Sequence, residues 1–212
     1  MVVVNNKSEL IEVINKRIEE QGLECDLNDI DVSKVKDMSG LFSADVLKDF
    51  NGDISGWDVS SVRDMSYMFA NSKFNGDISK WDMLNVGRMN RMFNHSCFDG
   101  DISGWDVSNV KSMRGMFFNS QFTGDISKWN VSRVGDMSYM FSESKFNGDI
   151  SRWDVSNVRD MYGMFLNSKF GGDIRDWNID ISYVEDMYNM FLNSPLEGRE
   201  PMWYILWCGG RF

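Results

Sequence analysis

Six aspartates, Asp53, Asp77, Asp101, Asp125, Asp149 and Asp173, recur every 24 residues, each directly after a glycine. Carboxylates repeated at a fixed step offer two kinds of chemistry. Stacked about 4.8 Å apart, they can hold a row of calcium ions between them. Alternatively, each can accept backbone N–H bonds within its own turn. With neither arrangement, neighbouring charges would repel by roughly 0.9 kcal/mol even in water. The turn role is the expectation, because the cluster of alternating oxygen ligands that a calcium loop needs is missing. A second column, Asp58, Asp82, Asp106, Asn130, Asp154 and Asn178, mixes two residues that share acceptor geometry but not charge. That mixture favours a cap or a turn over an ionic role.

Other reactive constellations are sparse. The single histidine, His95, falls in a column with Asn71, Asn119, Glu143, Asn167 and Asn193, and reads as a solvated surface group. A histidine-based metal site needs more than one such residue. The Gly-x-Asp turns match neither GxxxxGK[ST] nor GxGxxG. No motif supports a Ser-His-Asp unit, and nothing singles out a pair of carboxylates for glycoside hydrolysis. Neither an enzyme nor a cofactor is expected. Cys25, Cys97 and Cys208 are odd in number and far apart, which argues against a disulfide framework and a zinc site.

These columns exist because the chain repeats. Phe50-Asn51-Gly52-Asp53-Ile54-Ser55-Gly56-Trp57 returns at Phe74, Phe98, Phe122, Phe146 and Phe170. The last copy carries two extra residues. A partial earlier copy at Asp31–Phe42 has Ile30 in the tryptophan's place and is followed by a three-residue insertion. Identical apolar residues at a fixed period imply identical environments, which stacked coils supply. The columns Trp57–Trp177, Ile54–Ile174, Met65–Met187 and Met68–Met190 read as an internal core ladder rather than a glycan platform or a cofactor box. Ordering 24 residues costs more entropy than one repeat's apolar side chains offset, so a lone repeat should be unfolded and the ends need caps.

Within one repeat, GDIS-x-W reads as a strand in a parallel sheet. The following S-x-V-x-x-M-x-x-M-F reads as a short helix or 3-10 turn, with Ser60, Ser108, Ser132 and Ser156 at its N-cap. Gly52 and its equivalents supply turn geometry. The expected fold is a right-handed, leucine-rich-repeat-like solenoid of seven coils over 27–195. Residues 1–26 form a strand-and-helix cap, with a helix from about Glu9 to Gln21 capped by Ser8 and stopped by Gly22. Residues 196–212 form the other cap.

Composition bounds the partners. Over 212 residues, 42% are apolar and 14% aromatic, which excludes whole-chain disorder. A net charge of −10 disfavours nucleic acid and anionic membrane surfaces. No apolar run approaches a membrane span, so insertion is not expected. Three surface columns vary and are the candidates for recognition. They supply Lys80, Lys128 and Arg152; then Arg63, Lys111 and Arg159; then Tyr67, Arg91 and Tyr139.

The string D-I-S-x-W-D-V-S-N-V-x-x-M, most complete between Phe146 and Lys169, resembles the BspA-like repeat of bacterial and mycoplasma surface proteins, regarded as a divergent leucine-rich-repeat type. The resemblance implies a parallel sheet along one face, cell-surface or extracellular display, and adhesive binding of host or matrix proteins. It carries over no catalytic residue. The start has no secretory signal or lipoprotein cysteine, and with unpaired cysteines this points instead to the cytoplasm. The leading expectation is a non-catalytic module for an unidentified protein partner. The alternatives are an intracellular structural or inhibitory binding protein, and a carbohydrate-binding protein.

Overall fold

The computed structural model describes residues 1–43 and 45–209; the side chains of Asp45 and Val46 are outside that set. Chain order is β1 (Val2–Val3), α1 (Lys7–Gln21), β2 (Ile30–Asp31), a 3-10 turn (Asp45–Asp49) and α2 (Met202–Gly209). Between the 3-10 turn and α2 the chain is the repeat as far as about residue 195, with two extra residues in the last copy, written in turns and single bridges. The three-residue insertion lies between Phe42 and Phe50, where Ala44 is outside the described residues; Gly210, Arg211 and Phe212 of the expected C-terminal cap are outside them too.

Successive repeats lie side by side. Parallel bridges run Asp37–Asp64–Arg88–Ser112–Asp136–Asp160–Asp186. Within each repeat, alternate N–H groups donate to the next one. Met65 donates to Arg88 O, Tyr67 to Asn90 O, Phe69 to Met92 O and Asn71 to Asn94 O, at 2.8–3.0 Å. This corrects the sequence reading in two places. The pairing segment is V-x-x-M-x-x-M-F, expected to be helical, and no helix forms there among the described residues. GDIS-x-W, expected as a strand, forms no strand: its Ser-x pair is a turn and the rest is irregular apart from the single bridge at Asp53. Spacings of three and four come from local turns such as Met68 N–H to Met65 O, not from a continuous helix.

The core is a set of rows. Phe42, Phe69, Phe93, Phe117, Phe141, Phe165 and Phe191 stack at 5.5–5.9 Å between neighbours. A second row, Phe50 through Phe170, stacks at 6.3–6.5 Å. Indole N–H groups tie the rows to the backbone: Trp81 donates to Ile54 O and Trp105 to Ile78 O, and the pattern continues through Trp177 to Ile150 O. Each indole is therefore buried and satisfied at once.

The glycine after each Phe-x pair has a steric reason. Gly76, Gly100, Gly124, Gly148 and Gly172 have no positive φ. A Cβ on any of them would sit 2.8–2.9 Å from the phenylalanine ring two residues before it. The turn-geometry expectation is corrected: the ring, not the backbone dihedral, demands glycine.

The ends differ from the repeats. β1 pairs in parallel with β2, Val2 with Ile30 and Val3 with Asp31. The buried face of α1 is Leu10, Ile14 and Ile18. Its N-cap is Asn6, whose side chain accepts from Glu9 N–H, rather than Ser8; Gly22 ends it as expected. At the other end, α2 buries Trp203 and Trp207 and leaves Met202, Ile205 and Leu206 outside.

Candidate functional site

Three acidic columns share one local device. In the first, Asp77, Asp101, Asp125 and Asp149 each accept the N–H of the serine two residues on at 2.9 Å. Those bonds hold their carboxyls below the usual range, with a repulsive contribution from neighbouring aspartates. In the second, Ser60, Ser108 and Ser156 donate N–H to Asp58, Asp106 and Asp154. The serines expected as N-caps are thus donors, and the acid is the acceptor. In the lengthened last repeat the role passes from Asn178 to Asp180. A third column, unnoticed in the sequence, comprises Asp37, Asp64, Asp136, Asp160 and Asp186. Among the described residues, no group of three or more His, Cys, Asp or Glu side chains is placed to hold a metal ion.

The tryptophan column is 3–4% exposed, so its rings offer no platform to a sugar. Exposed aromatics lie elsewhere. Tyr67 and Tyr188 are 44% and 48% exposed, and both sit in the paired segment.

The nine sequence-derived candidates separate into three groups. Lys80, Lys128 and Arg152 lie beside the first acidic column and lower the carboxyls of Asp77, Asp125 and Asp149. Arg63, Lys111 and Arg159 alternate with Gly87 and Gly135 along one column. Lys111 and Arg159 share a concavity of about 610 Å³ with Arg133, Gly135 and Tyr183. Arg133, outside the candidate set, donates to Asn109 Oδ1 at 2.6 Å.

Tyr67, Arg91 and Tyr139 form the most constrained group. Their φ angles are 61°, 54° and 56°, in the left-handed region. The same column holds Gly40, Gly115, Gly163 and Asn189, all at positive φ. Glycine and asparagine suit that conformation, whereas a bulky side chain pays about 1–2 kcal/mol. The glycines leave room for their large neighbours. A Cβ on Gly115 would be 3.1 Å from Arg91 Cγ, and one on Gly163 would be 3.2 Å from the Tyr139 ring. Arg91 also lies over the Tyr67 ring, 5.8 Å from its centroid.

Residues in adjacent columns complete a ledge. Tyr162 lies 5.0 Å from Tyr139, and Phe118 packs edge-on to both His95 and Tyr139. Burial and the neighbouring Tyr162 push the Tyr139 hydroxyl pKa up. Between Arg91 and Tyr139 lies a notch of about 370 Å³, also lined by Asn94, His95, Arg114, Gly115 and Phe118. Reading single columns missed Asn94, Arg114, Phe118 and Tyr162, because the ledge runs across columns. The signal was present as large residues in the column one position before that of Tyr67, with Arg114 and Tyr162, and in the column three positions after it, with Phe118.

The second left-handed column, Asn71, His95, Asn119, Glu143, Asn167 and Asn193, has φ of 48–58°. Its bias to asparagine is therefore conformational. Asn119 Nδ2 and His95 Nδ1 are 2.9 Å apart.

Paired 24-residue units, buried aromatic rows and an outward ledge define a repeat protein with a formed surface. A family model described as "Mycoplasma protein of unknown function, DUF285" matches residues 12–121 and again 95–197. The chain belongs to that family, a repeat family related to the BspA-like repeats. No curated protein and no solved structure matches it.

Proposed function

We propose that this chain is a non-catalytic binding module that docks a protein partner through the ledge around Tyr67, Arg91 and Tyr139. Its repeats wind as a right-handed, leucine-rich-repeat-like solenoid. The bridges that join each repeat to the next support that winding. An adhesive role in surface display follows from the relation to BspA-like repeats.

One observation carries the docking reading. Three large residues occupy left-handed positions that glycine or asparagine fills elsewhere in the same column. Folding alone favours the small residues, so the strain points to a use outside the fold. Tyrosine and arginine are also the types that dominate binding energy at protein interfaces.

A photo-crosslinking residue placed at Tyr67 or Tyr139, with Lys16 on α1 as the reference position, tests the proposal. Exposed to matrix and host-cell proteins, the ledge positions should form a defined protein adduct that the Lys16 position does not. Equal adducts at all three positions, or none, would remove the ledge as the docking surface.

A further inference from the structure

The notch within the ledge has a composition that specifies more than "a protein". Arg91 and Arg114 supply two guanidinium groups. Neither takes part in an ion pair among the described residues. Arg114 acts on the Asp160 carboxyl, lowering it against the larger effect of burial, yet Asp160 does not line the notch. Phe118 and Tyr139 provide apolar walls. Asn94 lines the notch while only 9% exposed, and its Oδ1 is out of solvent with no hydrogen-bond partner among the described residues.

A ligand that fits the arginines and the rings carries a carboxylate and an apolar body. We infer that the notch seats the terminal carboxylate of a peptide chain that ends in an apolar residue. The last residue of such a chain carries both within a few bonds of one another. An acidic side chain in mid-chain brings the carboxylate without an adjoining apolar body. Two forked guanidinium groups match a planar carboxylate, and the volume suits one capped residue. The inference rests on the ledge being a contact face and adds the chemistry of what it contacts.

N-acetyl-L-phenylalanine and its carboxamide are the probes, used with the full chain isotopically labelled for NMR. At millimolar concentration, the acid should shift the side-chain signals of Arg91, Arg114, Asn94 and Tyr139 in a saturable way. The carboxamide should bind at least about tenfold more weakly, as should the acid to Arg114→Ala, because a charge-assisted hydrogen bond is lost. Lys16→Ala should bind as the parent does. Equal binding of acid and carboxamide, or shifts that map away from the notch, would overturn the inference. If ledge crosslinks to a partner persist while the acid leaves these signals unmoved, the docking surface stands and the carboxylate chemistry falls. If the acid binds the notch but ledge crosslinks are absent, the notch chemistry stands and protein docking falls.

Discussion

Trp203 donates its indole N–H to the Ile174 carbonyl at 3.2 Å. From Trp81 to Trp177 each indole in the row makes the same bond to the isoleucine 27 residues back, and Trp57 at the start of the row donates to Leu27 O instead. Trp203 belongs to α2, not to a repeat, and reaches Ile174 across 29 residues. Its ring stacks 6.2 Å from Trp177 with a 16° tilt. A helix thus supplies the rung that the next repeat would have supplied. That is how the array closes without exposing its last indole.

Trp203→Ala should destabilise the chain by about 3–5 kcal/mol, the range for removing a large buried aromatic. The loss should concentrate at the open end, because each repeat is held by its neighbours. Amide hydrogen exchange should quicken first in 170–195, with 60–140 little changed. Uniform acceleration along the chain would show that α2 is not an end cap.

Gly124→Ala should be destabilising, and Gly104→Ala should not. A Cβ at Gly124 would meet the Phe122 ring at 2.8 Å, a ring locked in the Phe98–Phe122–Phe146 row. Overpacking of this kind costs about 1–3 kcal/mol. At Gly104 nothing among the described residues lies within 4 Å and φ is not positive. There the substitution should be neutral, or stabilising by about 0.4–1 kcal/mol through the unfolded chain. Urea unfolding of the two variants checks both signs.

The repeat, its period and its buried rows were legible in the sequence because burial imposes the same residue type at each turn of the chain. Trp81, Met89 and Phe93 could be assigned inward from their columns alone. Local conformation was less legible. The M-x-x-M-F spacing fits a helix and also fits a row of turns that alternate with a left-handed residue, and periodicity cannot separate the two. The glycine of each Asn-Gly-Asp reads as a turn signal, yet it answers to a ring two residues away. The nine candidate contacts were visible as variation. Their grouping was not, because Arg91 and Tyr139 are brought to one notch by a glycine, Gly115, that carries no chemistry itself.

Asp160 should respond to pH opposite to the aspartates of the first column. Burial pushes its carboxyl up, and Asp136 and Asp186 on either side push the same way, against the N–H bond from Tyr162. A folded-state value above the unfolded one means that ionisation penalises the fold. The penalty is present at neutral pH and vanishes as pH falls through the folded value to the unfolded one. Asp160→Asn keeps the acceptor and removes the charge. Its melting temperature should exceed the parent's at pH 7, with the gap closing near pH 4 and below. A constant gap across that range would mean that charge is not the cause.

Asp173 has the other sign. Arg175 donates to it from both its side chain and its backbone N–H, and holds the carboxyl at about 2. Its contribution is present above the unfolded value near 3.8 and is lost as pH falls toward about 2. Arg175→Ala should therefore lower stability above about pH 4, by a small amount because the pair is exposed, and the difference from the parent should vanish as pH falls toward about 2. A difference that does not shrink below pH 4 would show that the pair does not set this carboxyl.

Arg91→Gly separates fold from function. In the same column, Gly115 and Gly163 adopt φ of 57° and 56° without a side chain to strain them. Replacing Arg91 relieves a left-handed cost of about 1–2 kcal/mol. Against that stand the entropy of a new glycine, about 0.5–1 kcal/mol, and an exposed cation–π contact worth about 0.5–1 kcal/mol. The net change in unfolding free energy should lie within about 1 kcal/mol of zero. Capture of a partner by the ledge should nevertheless fall at least about tenfold, as loss of a central arginine does at interfaces. A variant that loses stability by several kcal/mol would place Arg91 among the residues that hold the fold. One that keeps both stability and capture would mean that the strain at this position serves no contact.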